Sequence, residues 1–248
     1  MKLAGAPRGP RFSNPETREA PMLITIPDLL TPDETAHIRQ VLERTDWVDG
    51  LSTAGDQAAG VKKNLQVPTD NHEAQKLSAL VLQALGRSPT YSSAVLPLQV
   101  LPPMFNRYDA GMTFGDHVDG SIRVIPQTGQ RIRTDVSTTV FLTEPDEYEG
   151  GELVVKDTYG EHKVKLPAGH AVVYPSTSLH RVTPVTKGSR WASFFWAQSM
   201  IRDDWQRHMM YDLDQSIMRI RGLLPDDDPA VTGITAHYHN MIRQWAEV

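Results

Sequence analysis

The chain contains no cysteine. That absence removes disulfides, thiolate metal sites, iron–sulfur clusters and cysteine nucleophiles, so any metal must be held by nitrogen and oxygen. Long apolar runs are missing too. Nothing approaches the roughly 20 residues that a membrane helix needs, and the N-terminus lacks the apolar segment of a signal peptide. The expectation is a cytoplasmic protein with no membrane contact. Nor is there excess positive charge: the formal charge is -5 and the pI about 6.0. Phosphate recognition normally needs a basic footprint, so no nucleic-acid partner is expected. Internal repeats, heptad runs and low-complexity tracts are likewise lacking.

What is present is an ordinary globular composition, 40% hydrophobic and 22% charged over 248 residues, enough for one sizeable core. Residues 1–21 combine Pro, Gly and charge without periodicity and read as a flexible tail. Residues 22–94 read as a support region with a short strand near Ile24 and a helix capped at Thr31 that runs to about Thr45. Ile38, Val41 and Leu42 fit one face of that helix. A second helix is expected from Asn71 to Leu85, with Leu77, Leu80, Val81 and Ala84 on one face and Gly86 as its stop.

From 95 to 200 the texture changes to short apolar runs cut by Gly and Pro, which predicts a β-rich domain of about eight strands. Residues 201–248 return to helical spacing. They form an extension of two helices broken near Pro225, which could buttress the core or form a homodimer interface.

The densest chemical signal is the run from Asn106 to Asp119. On a strand, side chains two apart share a face, so His117 and Asp119 can reach one ion while Val118 points away. His180, just beyond the apolar run Ala171–Pro175, supplies a second histidine. Two histidines and one carboxylate make a facial set that leaves open positions on an octahedral Fe(II), as oxygen activation with a bidentate 2-oxo acid requires. Arg190, ten positions after His180, is suited to the distal carboxylate of 2-oxoglutarate, a fit that a zinc hydrolase would not need. An isolated HxD pair is weak evidence, because His and Asp often alternate on solvated strands. The combination with His180 and Arg190 is what gives it weight.

Four blocks, RYDAGMTFGDHVD, RTDVSTTVFLTEPDEYEGGELVV, VKLPAGHAVVYPSTSLHRVTPVT and GSRWASFFWAQSMIRDD, resemble the prolyl-4-hydroxylase-like Fe(II)/2-oxoglutarate dioxygenases. Among these the chain is most similar to the bacterial PKHD-type hydroxylases. The resemblance implies a mainly β fold with flanking helices around a double-stranded β-helix, or jelly roll. It also implies His117, Asp119 and His180 as iron ligands and Arg190 as the 2-oxoglutarate anchor, with Tyr108 beside the same carboxylate. Fe(II), 2-oxoglutarate and O2 follow, with L-ascorbate as an accessory reductant and a link to iron homeostasis.

The expected activity is therefore hydroxylation of a peptidyl, prolyl or small-molecule substrate, with no catalytic side chain beyond the metal centre. A catalytically silent iron-binding or iron-sensing jelly roll is the rival reading. His237 and His239 lie two apart on an expected helix, cannot readily share an ion, and read as surface. The segments Asp49–Lys63 and Gly120–Arg133 read as loops able to form a lid over the site.

Overall fold

The computed structural model describes residues 23–53, 60–125, 128–158 and 160–248. The tail expected over 1–21 lies outside them. Strand β1 (Ile24–Ile26) leads into helix α1 (Pro32–Leu42). Thr31 starts that helix through a reciprocal capping box: its hydroxyl accepts from the Glu34 amide at 3.2 Å, and its own amide donates to the Glu34 carboxylate at 2.9 Å. Thr35, Ile38 and Leu42 are its buried positions, spaced to fall on one face.

Three two-residue strands follow: β2 (Val48–Asp49), β3 (Lys62–Lys63) and β4 (Leu65–Gln66), with a 3-10 turn at Gly50–Thr53. Helix α2 (His72–Arg87), capped by Asn71, buries Ala74, Leu77, Ser78, Val81, Ala84 and Leu85. It does not stop at Gly86. Ser88 ends it by adopting an extended conformation, and the Ser88 hydroxyl then caps a further helix, α3 (Pro89–Val95), with Pro89 in its first turn. The Ser-Pro pair is thus a helix start.

Between 97 and 199 there are twelve described strands, more than the eight expected: β5 (Pro97–Val100), β6 (Met104–Asp109), β7 (Thr113–His117), β8 (Ile122–Val124), β9 (Arg131–Arg133), β10 (Val136–Phe141), β11 (Tyr148–Gly150), β12 (Leu153–Asp157), β13 (Gly160–Val164), β14 (Ala171–Pro175), β15 (Leu179–Val182) and β16 (Val185–Ser199). The larger sheet has nine strands along the order β1-β14-β10-β16-β6-β4-β2, with β5 and β11 also on β16. The smaller has five, in the order β13-β12-β15-β7-β3. Strands ahead of residue 95 therefore join both sheets: β1 pairs with β14, β4 with β6 and β3 with β7.

The two sheets pack through Phe141, Val172 and Tyr174 on one side and Leu153, Val155 and Val164 on the other. Strand β10, paired on both edges and buried at every position, is the spine of the larger sheet. Strand β16 spans fifteen residues and serves β11, β6, β10 and β5 in turn. Arg190 lies inside this long strand. Trp191 and Phe195 pack with Ile38, Leu42, Leu77 and Val81 of α1 and α2 in one cluster. The alternate positions, Arg190, Phe194 and Trp196, line an interior cavity.

Helices α4 (Asp204–Arg221) and α5 (Pro229–Trp245) close the chain. Met210 and Ile201 pack with Leu96 and with Tyr238, Ile242 and Trp245, and Ser93 donates to Asp214 at 2.7 Å, so both helices lie against the core. No helix among the described residues is long and apolar enough to cross a membrane.

At the end of β11, Gly150 has φ +71, and a Cβ there would meet the Pro184 carbonyl oxygen at 2.1 Å. Gly150→Ala is therefore expected to lower stability by about 1–3 kcal/mol in chemical denaturation. Gly86→Ala, with open space at its Cβ, is expected to raise stability by up to about 1 kcal/mol. Equal effects of the two substitutions would contradict this account.

Candidate active site

Strands β7 and β15 run antiparallel with His117 directly opposite His180 and Phe114 opposite Val182. Three steps along β7 match two along β15, so a bulge lies at Gly115 and Asp116. There the Gly115 carbonyl comes within 2.8 Å of His117 Nδ1. A carbonyl oxygen can only accept, so His117 Nδ1 carries the proton and Nε2 keeps its lone pair. His180 is held in the same way, its Nδ1 donating to the Ser178 carbonyl at 3.0 Å. The two imidazole centroids are 4.2 Å apart.

Asp119 lies two residues beyond the end of β7, outside the strand rather than on it as the period-two argument assumed. It nevertheless turns inward, with Oδ2 3.7 Å from His180 Nε2. The Ser137 hydroxyl of β10 donates to that same oxygen at 2.6 Å. Because its proton is committed there, Ser137 accepts from the Ser176 hydroxyl at 2.7 Å. One donor atom from each of His117, Asp119 and His180 lies within 4.8 Å of the others, the one such group among the described residues.

Burial first, and then the adjacent His180, push His117 down to about 4. The imidazole is neutral at ordinary pH, the form a metal needs. This set of two imidazole nitrogens and one oriented carboxylate suits a divalent first-row metal with open coordination positions.

Arg190, 2% exposed, stands directly across the β6–β16 pair from Tyr108. Its guanidinium carbon is 5.1 Å from the Phe141 ring centroid and 5.5 Å from that of Tyr108. Burial pushes the Tyr108 phenol up to about 12, which keeps it a neutral hydroxyl. Arg190 Nε has no hydrogen-bond partner among the described residues. A buried guanidinium with an unmet donor favours an anion beside it, and a carboxylate matches its fork. All five residues singled out in the sequence line one cavity of about 720 Å³.

Other candidates fall elsewhere. His237 and His239 are exposed on α5, and Asp228 serves as the N-cap of that helix. His162 and His170 each face a single carboxylate, Asp157 and Asp28. The Gly150–Gly151 turn packs on Pro184 and Val185 and is not part of the cavity lining. Of the aromatic run, Phe194, Phe195 and Trp196 are among the residues that line the cavity.

The segment 120–133 is not simply a loop: β8 and β9 form a hairpin whose Ile122, Arg123 and Val124 reach the cavity. Residues 126–127 of that segment, and 54–59 of the other loop expected as a lid, lie outside the described residues. Sequence reasoning missed Ser137, Lys62 and Arg123. Ser137 sits in an apolar run, and only its placement on the inward face of β10, alongside Thr139 and Phe141, could have drawn notice.

The pattern of the 2OG-Fe(II) oxygenase superfamily matches residues 103–198, and that of the PKHD-type hydroxylase C-terminal domain matches residues 204–247. A PKHD-type hydroxylase of Paracoccus denitrificans is 79% identical over 226 residues, covering 91% of this chain and 100% of that protein. The chain belongs to the PKHD-type hydroxylases.

Another PKHD-type hydroxylase, from Cupriavidus metallidurans, is 63% identical over 228 residues, covering 92% of this chain and 100% of the relative. The protein is accordingly a 2-oxoglutarate-dependent dioxygenase, with Fe(II), 2-oxoglutarate and O2 as its metal and cosubstrates. Two solved structures share the fold. A prolyl hydroxylase from Trichoplax adhaerens gives a TM-score of 0.53 at 13% identity, covering 77% of this chain and 87% of that one. HygX from Streptomyces hygroscopicus gives 0.52 at 16%, covering 72% and 84%. The jelly-roll expectation holds.

Ser137 orients a carboxylate that belongs to the candidate metal set. Ser137→Ala is expected to weaken divalent-metal binding about 10- to 100-fold, measured by competition with a chelator. Unchanged affinity would show that the hydroxyl has no part in placing Asp119.

Proposed function

We propose that His117, Asp119 and His180 hold the Fe(II), and that Arg190, with Tyr108 beside it, receives the distal carboxylate of 2-oxoglutarate. The observation that carries this reading is the convergence of the three metal-capable side chains and a buried Arg190 on one cavity. With Fe(II) bound, 2-oxoglutarate and O2 supply the oxidising power, giving succinate and CO2 as a substrate C–H bond is hydroxylated.

The chain's own residues bind, orient and shield. His117 and His180 leave their Nε2 atoms available because backbone carbonyls occupy Nδ1. The relay from Ser176 through Ser137 fixes the Asp119 carboxylate. Arg190 and the neutral Tyr108 hydroxyl would hold the carboxylate of the cosubstrate. Leu153, Val182 and Tyr174 line the same cavity. No side-chain nucleophile is needed.

Residues 95–200 are the catalytic unit in this reading, with 22–94 and 201–248 as supports. The substrate is a peptidyl or prolyl residue or a small molecule, and the reaction is cytoplasmic and tied to iron homeostasis. The Trichoplax prolyl hydroxylase, solved with a peptide fragment, illustrates the peptidyl case on this fold.

Arg190→Ala is expected to weaken 2-oxoglutarate binding roughly 10- to 100-fold, as befits loss of charge-assisted hydrogen bonds, while Mn(II) still binds. Calorimetry on the Mn(II)-loaded protein reads both quantities. Wild-type 2-oxoglutarate affinity in the variant would remove Arg190 from the assignment.

A further inference from the structure

Strand β8 pairs with β9 alone, in the register Ile122↔Arg133, Arg123↔Ile132 and Val124↔Arg131. The bonds that flank this pair fix which backbone groups it uses. The Thr134 amide donates to the Ser121 carbonyl at 3.0 Å, and the Ile125 amide to the Gln130 carbonyl at 2.8 Å. Hydrogen-bonded positions alternate in an antiparallel pair, so Ser121, Arg123 and Ile125 turn their backbone groups toward β9. Ile122 and Val124 turn theirs away, to an edge that pairs with nothing among the described residues.

Natural proteins guard such edges with charge. The edge strand β13 of the smaller sheet carries Glu161 and Lys163. Strand β8 instead shows Ile122 and Val124, 56% and 51% exposed. Its one charged side chain, Arg123, is drawn onto Trp196, with the guanidinium carbon 3.8 Å from the ring centroid. Unused donors and acceptors beside exposed β-branched side chains make a template for another strand.

The position of the edge says what that strand is. Ile122, Arg123 and Val124 line the cavity of His117, Asp119 and His180. The Thr134 hydroxyl donates to the Gly120 carbonyl at 2.6 Å, tying the hairpin to the turn after Asp119. At about 720 Å³ the cavity is larger than a five-carbon diacid fills. A chain added to β8 crosses its mouth, and every second side chain of that chain shares the face of Ile122 and Val124. A second copy of the protein on so short an edge would bury too little surface for a stable dimer.

We propose that the outer edge of β8 receives the substrate as an extended polypeptide segment, added as a strand along Ile122 and Val124, with the residue to be hydroxylated on the cavity face. This rests on the reading of the cavity as the Fe(II) and 2-oxoglutarate site.

Hydrogen–deuterium exchange of the protein loaded with Mn(II) and 2-oxoglutarate, resolved to single amides, reads the edge directly. Without substrate, the Ile122 and Val124 amides are expected to exchange about tenfold or more faster than that of Arg123, which is bonded to β9. The probes are capped peptides Lys-Thr-Val-Xaa-Val-Thr-Lys, with Xaa each of the common residues in turn. At least one should slow exchange at Ile122 and Val124 and leave Arg123 unchanged. Methylating the backbone nitrogens of that peptide one at a time should weaken binding about tenfold at alternate residues and little between them.

Val124→Pro removes an outward N–H and spares the pairing with β9. It should weaken peptide binding by a similar factor while 2-oxoglutarate still binds, with near-ultraviolet circular dichroism checking the fold. No peptide protecting these amides, methylation effects without alternation, or wild-type peptide affinity in Val124→Pro would overturn the proposal. Failure of the wild type to bind 2-oxoglutarate would instead sink the underlying assignment.

Discussion

The bulged pairing of Thr113–His117 with Leu179–Val182 is the contact on which the cavity depends. It sets two histidines from distant parts of the chain face to face, and the extra residue at the bulge turns the Gly115 carbonyl onto His117. Backbone carbonyls at both Nδ1 atoms orient the two rings and leave both Nε2 atoms available to a metal. A one-residue slip would send one histidine to the opposite face and dissolve the arrangement. The other strands of the small sheet, and β3 on its edge, hold this register in place.

Facing that pair, the larger sheet contributes polarity from its most buried strand. Ser137 projects from β10 to orient Asp119, and Arg190 and Tyr108 stand opposite each other on β16 and β6. Polar groups in such positions cost stability unless partnered. The fold offsets this on the other face of the sheet, where Val136, Val140, Trp191 and Phe195 pack in one cluster with α1 and α2. Precision at the centre is thus supported by an apolar layer one residue away along each strand.

Much of the centre was legible because it obeys short-range rules. The period of two put His117 and Asp119 together even though the strand ends at His117, since the chain stays inward for two more residues. Arg190 and Phe194 share one face of β16 by the same alternation. Ser137 was not legible: a hydroxyl in a run of apolar and β-branched residues has meaning only once β10 is seen beside Asp119. Lys62 lies on a two-residue strand that owes its existence to pairing with β7, which no local pattern announces. Helix α3 hid behind Ser88 and Pro89, and Gly86 misled because a glycine one residue before a helix end looks the same in sequence as one just after it. In each case tertiary pairing decided what local propensity left open.

The central claim is that one cavity binds Fe(II) through His117, Asp119 and His180 and chelates 2-oxoglutarate on it. An anaerobic titration of metal-free protein with Fe(II) and 2-oxoglutarate tests it most directly, through the weak visible charge-transfer band of a chelated 2-oxo acid, with His180→Ala as control. The account predicts a band in the wild type that the variant lacks. Tight Fe(II) binding with no band, or a band of equal strength in the variant, would contradict it.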